Sequence, residues 1–359
     1  MKSILMKRLS LLLTTALMQW GVVGTAFGIE AQTVAVGVLS GDLTMAMVRV
    51  RDIENTGQSE KDWHGTTGTY GAVSYEYAIG TYEVTNAQYI AFLNAVVGTG
   101  IDQYNLYASP DQYSAESAAP VYNAYYGITR NASGVFELKA PEWANKPVNY
   151  VSFYDAARFT NWLTNGATAG ADTENGLYAF SGVTTLVSVT PPDHLTSTGW
   201  ALPGENEWYK AAYYDPAKGE TGGYWLYPNR NDNFTTQEAN YNSVNYSASD
   251  IMETGTYDLV TSAYGTRDQG GSLWEWTDTI HSAGSRVFRG GSFSGEANAF
   301  ASTARNGTAQ GTESYQVGFR VVYLGSLTSV PESAGTAGVI GTMLLVICLW
   351  IRIGGQRTC

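Results

Sequence analysis

Between its two apolar ends this chain keeps an apolar period long enough for a helix in three stretches, and glycine breaks the rest into short runs. The chain carries 40 Gly, 25 Tyr and 10 Trp in 359 residues. Glycine supplies the positive φ that tight turns need, while Tyr and Trp bury large rings and keep one polar atom to be satisfied. A chain of this kind covers an aromatic core with loops rather than with layers of long elements.

The three helices carry their own start signals. Thr85 and Gln88 form a capping-box pattern ahead of Tyr89, Phe92, Leu93, Val96 and Val97, which share one face. Ser152 caps a second helix, Asp155 sits at its positive end, and Ala156, Phe159 and Leu163 make the apolar stripe. Gly204 is the N-cap of a third, with Glu205 and Glu207 in the first turn and Trp208, Ala211 and Ala212 facing inward. Short strands, paired antiparallel, are expected at Tyr75–Ile79, Ser272–Asp278, Arg286–Arg289 and Gly318–Tyr323. Residues 98–146 and 165–198 read as long loops.

Twenty Lys plus Arg stand against 32 Asp plus Glu, a net charge of −12. That balance disfavours polyanion binding driven by counterion release, so no nucleic-acid partner is expected. Lys2, Lys7 and Arg8 precede the apolar run Leu9–Trp20, and small residues follow near Thr25–Gly28, so residues 1–28 are expected to be a signal peptide. At the other end Ala334–Ile351 is uncharged, spans about 27 Å as a helix, and is followed by Arg352 and Arg357. Residues 334–359 are therefore expected to anchor the chain in a membrane, with the basic tail inside and the body exported. The expected divisions are a lead-in at 29–69, the main domain at 70–324 and a linker at 325–333. The two cysteines, Cys348 and Cys359, lie in or beyond the anchor. The exported part thus has no disulfide, thiolate ligand or thiol nucleophile.

Six blocks, "IGTYEVTNAQY", "PVNYVSFYDAARFTNWL", "ALPGENEWYKAAYY", "GGSLWEWTD", "RVFRGGSF" and "GFRVV", occur in an order that resembles the sulfatase-modifying-factor family, the formylglycine-generating enzymes and their relatives. The resemblance implies an α+β, loop-rich fold related to C-type lectins, with short antiparallel strands and a few helices. The tail resembles a PEP-CTERM sorting signal, although Val330-Pro331-Glu332-Ser333 lacks its second proline.

The resemblance also says where chemistry should sit. Formylglycine-generating enzymes bind copper through two cysteines just after the Gly-Gly-Ser block, at the places of Gly295 and Phe300 here. Neither residue offers the sulfur that Cu(I) selects, so copper is not expected. Relatives that hold iron with three histidines are matched no better. His64, His194 and His281 are scattered singly and read as surface or satisfied core residues. Ser292 follows two glycines but does not fit the Gly-x-Ser-x-Gly elbow of a nucleophile, and Gly290 and Gly291 read as a turn. The family's calcium sites imply hard oxygen ligands at Asn240, the Tyr241 carbonyl and Glu275, with Ser272 standing where the family has Asn. Trp274 and Trp276 are expected to fill the core around Glu275, and Arg289, Arg305 and Arg320 to clamp loops through carboxylates and carbonyls. The expected function is a non-oxidising surface module for a glycan or peptide ligand. The alternative is a protein-modifying enzyme of the same family working without cysteine.

Overall fold

The computed structural model describes residues 31–38, 41–109, 123–181, 188–234, 238–242 and 247–325. The leader, linker and anchor expected at 1–28, 325–333 and 334–359 lie outside these residues, apart from Gly325. Among the described residues no helix is long and apolar enough to cross a membrane.

The strands in chain order are β1 (Ala31–Val38), β2 (Gly41–Val50), β3 (Gln58–Lys61), β4 (Thr67–Tyr70), β5 (Tyr77–Gly80), β6 (Ile128–Arg130), β7 (Phe136–Leu138), β8 (Ala179–Ser181), β9 (Ser188–Thr190), β10 (Gly199–Ala201), β11 (Tyr214–Asp215), β12 (Gly223–Tyr224), β13 (Trp274–Ser282), β14 (Ser285–Arg289), β15 (Asn306–Ala309), β16 (Val317–Gly318) and β17 (Val322–Leu324). The helices are α1 (Asn86–Val96), α2 (Phe153–Thr164) and α3 (Glu205–Tyr213). One sheet runs β1-β2-β5-β17-β10 and a second runs β15-β14-β13-β16. The remaining strands form two-stranded hairpins.

Local chemistry explains the helix starts. In α1 the Thr85 hydroxyl accepts from the Gln88 amide at 3.3 Å, and the Thr85 amide donates to Gln88 Oε1 at 2.9 Å. In α2 the Ser152 amide and hydroxyl both donate to Asp155 Oδ2, at 3.0 and 2.6 Å. Burial, reinforced by Glu313, raises the Asp155 carboxyl to about 8. At α3, where Gly204 has no side chain to cap with, its amide donates to Glu207 Oε2 at 2.6 Å. The apolar faces of α1 and α2 meet in a cluster of rings: Phe92 lies 5.4 Å from Phe159 and 5.5 Å from Trp162, and Phe159 lies 5.4 Å from Phe319.

Three features differ from the sequence reading. The expected strand Gly318–Tyr323 is split, because Phe319 and Arg320 leave the ladder to point into the core, both fully buried. Its first half, β16, pairs parallel to β13 rather than antiparallel, with Trp274 opposite Val317. Within the segment read as the lead-in, β2 is hydrogen-bonded along β5 from Met47↔Gly80 to Val50↔Tyr77. The long loops also contain structure, the hairpins β6–β7 and β8–β9.

Candidate functional site

The Arg-Gly-Gly-Ser stretch closes β14. Gly290 and Gly291 have φ of 101° and 75°, a left-handed region costly for any residue with a Cβ. Space demands glycine as well, since a Cβ on Gly291 would lie 2.5 Å from the Phe300 ring and one on Gly290 3.1 Å from Trp208. The Gly290 carbonyl accepts from Gly271 at 2.8 Å, and the Phe293 amide donates to the Ser272 carbonyl at 2.7 Å, so the turn is stitched to the segment entering β13. Ser292 is buried, and its hydroxyl lies 3.3 Å from that of Ser294, to which Gln316 donates. No histidine stands in position as its base.

Gly295 and Phe300, where the resemblance puts the family's cysteines, are packed into the structure. The Gly295 carbonyl accepts from Asn242 at 2.9 Å. Phe300 is fully buried, with its ring 5.4 Å from both Phe234 and Tyr241, which lie 5.2 Å from each other. Three aromatic rings thus fill the ground beside the turn. Gly291→Ala is expected to destabilise the protein by about 2–4 kcal/mol, from φ strain plus overpacking on Phe300. Chemical denaturation checks it. Gly291→Ala with Phe300→Ala should cost at least about 1 kcal/mol less than the sum of the single changes.

Two buried ion clusters hold this floor in place. Arg289 donates to Glu205 Oε1 through Nε and Nη2 at 2.9 and 2.6 Å, and through Nη1 to the Ser302 and Ala304 carbonyls at 2.7 Å. Arg305 adds bonds to Glu205 at 2.8 and 3.0 Å. In the second cluster Arg320 reaches Glu275 Oε2 at 2.5 Å and Oε1 at 2.7 Å, and Trp208 Nε1 donates to Oε2 at 2.7 Å. The other donors of Arg320 take the carbonyls of Gly80, Thr81 and Arg267. Burial raises the carboxyls of Glu83 and Asp268, neighbours of this pair that the sequence reading did not single out.

The calcium site that the resemblance implies does not fit Glu275. Both of its oxygens are engaged by a fully buried guanidinium, which a cation would have to displace. Asn240 donates its Nδ2 to the Asp250 carbonyl at 2.8 Å and gives its own carbonyl to the Ser272 amide. Asn240 Oδ1 is buried without a hydrogen-bond partner among the described residues, and the buried Glu83 carboxyl lies beside the Ser272 side chain. The Tyr241 ring belongs to the aromatic trio. Trp276 is fully buried and donates to the Val151 carbonyl at 2.9 Å, while Trp274 is 9 % exposed against Phe288.

The three histidines have separate partners. His281 packs over Gly307, and His64 lies against Trp63. His194 bridges two carboxylates, Nδ1 at 2.9 Å from Glu207 Oε2 and Nε2 at 2.6 Å from Asp278 Oδ2. Burial lowers its pKa, but the charges and hydrogen bonds of Glu207 and Asp278 more than reverse this and hold it at about 11, so the ring is an imidazolium. Tyr75 donates to Glu207 Oε1 at 2.8 Å. Among the described residues no group of three or more His, Cys, Asp or Glu is arranged to hold a metal ion.

Comparison with family models matches a sulfatase-modifying factor enzyme 1-like domain over residues 34–324. No curated protein matches the chain. Among solved structures, variable protein 1 of Treponema denticola is 18% identical, with 82% of this chain and 99% of that one covered at a TM-score of 0.46. PvdO from Pseudomonas aeruginosa is 16% identical, with 78% and 94% covered and a TM-score of 0.47. A protein named CarF is 17% identical, with 79% and 99% covered and a TM-score of 0.46.

Proposed function

Because the chain belongs to the sulfatase-modifying factor enzyme 1-like domain family, we propose that it keeps that scaffold without copper-dependent oxidation and works as a surface-tethered binding module for a glycan or peptide. The observation that carries this reading is Phe300. Where the family resemblance puts a sulfur ligand, Phe300 is a fully buried phenyl ring packed on Phe234 and Tyr241, and the companion position, Gly295, is a glycine. Soft Cu(I) needs thiolate or thioether donors, and hydrocarbon at both places supplies none. The Arg-Gly-Gly-Ser turn persists for a packing reason, its glycines seated against Trp208 and Phe300.

Competition for Cu(I) against a chromophoric chelator tests the reading. With Cys348 and Cys359 changed to Ser, so that the tail offers no thiol, the protein is expected to take up no stoichiometric copper. One equivalent held more tightly than the chelator holds it would contradict the reading and favour an enzyme of the same family.

A further inference from the structure

We propose that the indole face of Trp63 is the platform on which a pyranose ring of the ligand stacks, an inference that rests on the binding-module reading and gives its ligand a chemistry. Among the described residues nearly every aromatic ring is buried or half-buried. Among the described residues Trp63, at 40% exposure, is the one Phe, Tyr or Trp left in the exposed range. A single exposed apolar residue is ordinary in itself. What sets Trp63 apart is how firmly it is fixed while facing water.

The residue lies in the turn between β3 and β4. Asp62, 6% exposed, ties that turn by accepting from the His64 and Thr66 amides at 3.0 and 2.8 Å. The Trp63 amide donates to the Thr303 carbonyl at 2.9 Å, and its Nε1 points at the Arg305 carbonyl and at His64 Nε2, the latter 2.7 Å away. Behind the indole stands Trp274, with ring centroids 5.8 Å apart and planes inclined by 59°. Backbone, side-chain nitrogen and rear contact are therefore all fixed, and the entropy of ordering a contact residue has been spent in folding rather than in binding.

This arrangement selects a ligand. The indole N–H is consumed internally, so recognition falls to the π face, whose negative quadrupole attracts polarised C–H groups such as the apolar face of a pyranose. A quaternary ammonium, the other usual partner of an aromatic face, gains from carboxylates close by. Here the carboxylate of the turn, Asp62, is buried, with its Oδ1 accepting from two amides.

The test uses the purified full-length protein, a panel of cello-, chito-, manno- and xylohexaose, and choline as the cationic probe, with binding read by calorimetry. At least one hexasaccharide is expected to bind saturably. Trp63→Ala should weaken it at least tenfold, and Trp63→Phe, which keeps a π face, should retain part of the affinity. The melting temperature of Trp63→Phe should stay within a few degrees of the parent's, separating loss of contact from loss of fold. The proposal is overturned by a panel with no saturable binding, by choline binding more tightly than every sugar, or by sugar binding that survives Trp63→Ala. The last result would leave the binding-module reading standing and remove only this site. Copper uptake by the protein without its tail thiols would remove the reading whatever Trp63 does.

Discussion

Arg320→Ala is expected to lower stability by roughly 3–5 kcal/mol, a large share of what holds a domain folded. The side chain is fully buried, and all its donors are used on Glu275 and on the carbonyls of Gly80, Thr81 and Arg267. Removing it strands Glu275, also fully buried, with the Trp208 N–H as its one remaining hydrogen-bond partner among the described residues. Glu83 and Asp268 lie close enough to sense both charges, so the alanine variant leaves three acidic groups around an unneutralised pocket. The same guanidinium joins the end of β5 to the loop before β13, and its loss is felt in both places. Arg320→Lys keeps the charge but not the planar fork and should fall between parent and alanine. Urea unfolding checks the series. Arg305→Ala serves as its internal comparison and should cost less, because Glu205 keeps both bonds from Arg289.

The second large effect is at His194, and it depends on pH. His194→Asn leaves the buried carboxylates of Glu207 and Asp278 without the cation between them, at an expected cost of about 3 kcal/mol near pH 6. The folded imidazole holds its proton up to about 11 against an ordinary 6.5, so the folded state binds that proton more tightly than the unfolded chain does. The stabilisation is complete below about 6.5 and is lost progressively as pH rises toward 11. Two other buried groups titrate nearby. Asp155, raised by burial to about 8 from 3.8, also costs stability as pH climbs through that interval. Lys210, lowered by burial to about 8 from 10.5, gives stability back between those values. The difference between parent and His194→Asn removes both, and should shrink by more than half between pH 6 and pH 10. A difference that does not change with pH would mean that the bridge is not an imidazolium.

How much of this could be read from the chain follows from how far apart the partners are. The capping pairs Thr85–Gln88 and Ser152–Asp155 lie three residues apart, so the helix starts were legible. The expected α+β class, with its few helices and short strands, follows from the same local signals and from the family match. The His194 bridge was invisible, because its carboxylates come from 13 and 84 residues away and a lone histidine after two prolines carries no local sign of them. The Arg289–Glu205 pair spans 84 residues, and the Arg320–Glu275 pair 45. Sequence chemistry could therefore name the arginines but not their acids. Parallel pairing at β16 escaped for a similar reason: two residues carry no periodicity, and their register is set across 43 positions by Trp274. At Gly295 and Phe300 the absence of sulfur was plain, whereas the aromatic filling was not, since Phe234 and Tyr241 reach Phe300 from a separate loop.

A family scaffold kept without its oxidation chemistry should leave a cysteine substrate untouched. The purified protein is incubated with Cu(I), oxygen, a reductant and a Cys-x-Pro-x-Arg peptide, and the peptide is followed by mass spectrometry. The account predicts that the cysteine remains unconverted, as in a control without protein. Formylglycine accumulating over many turnovers would contradict it.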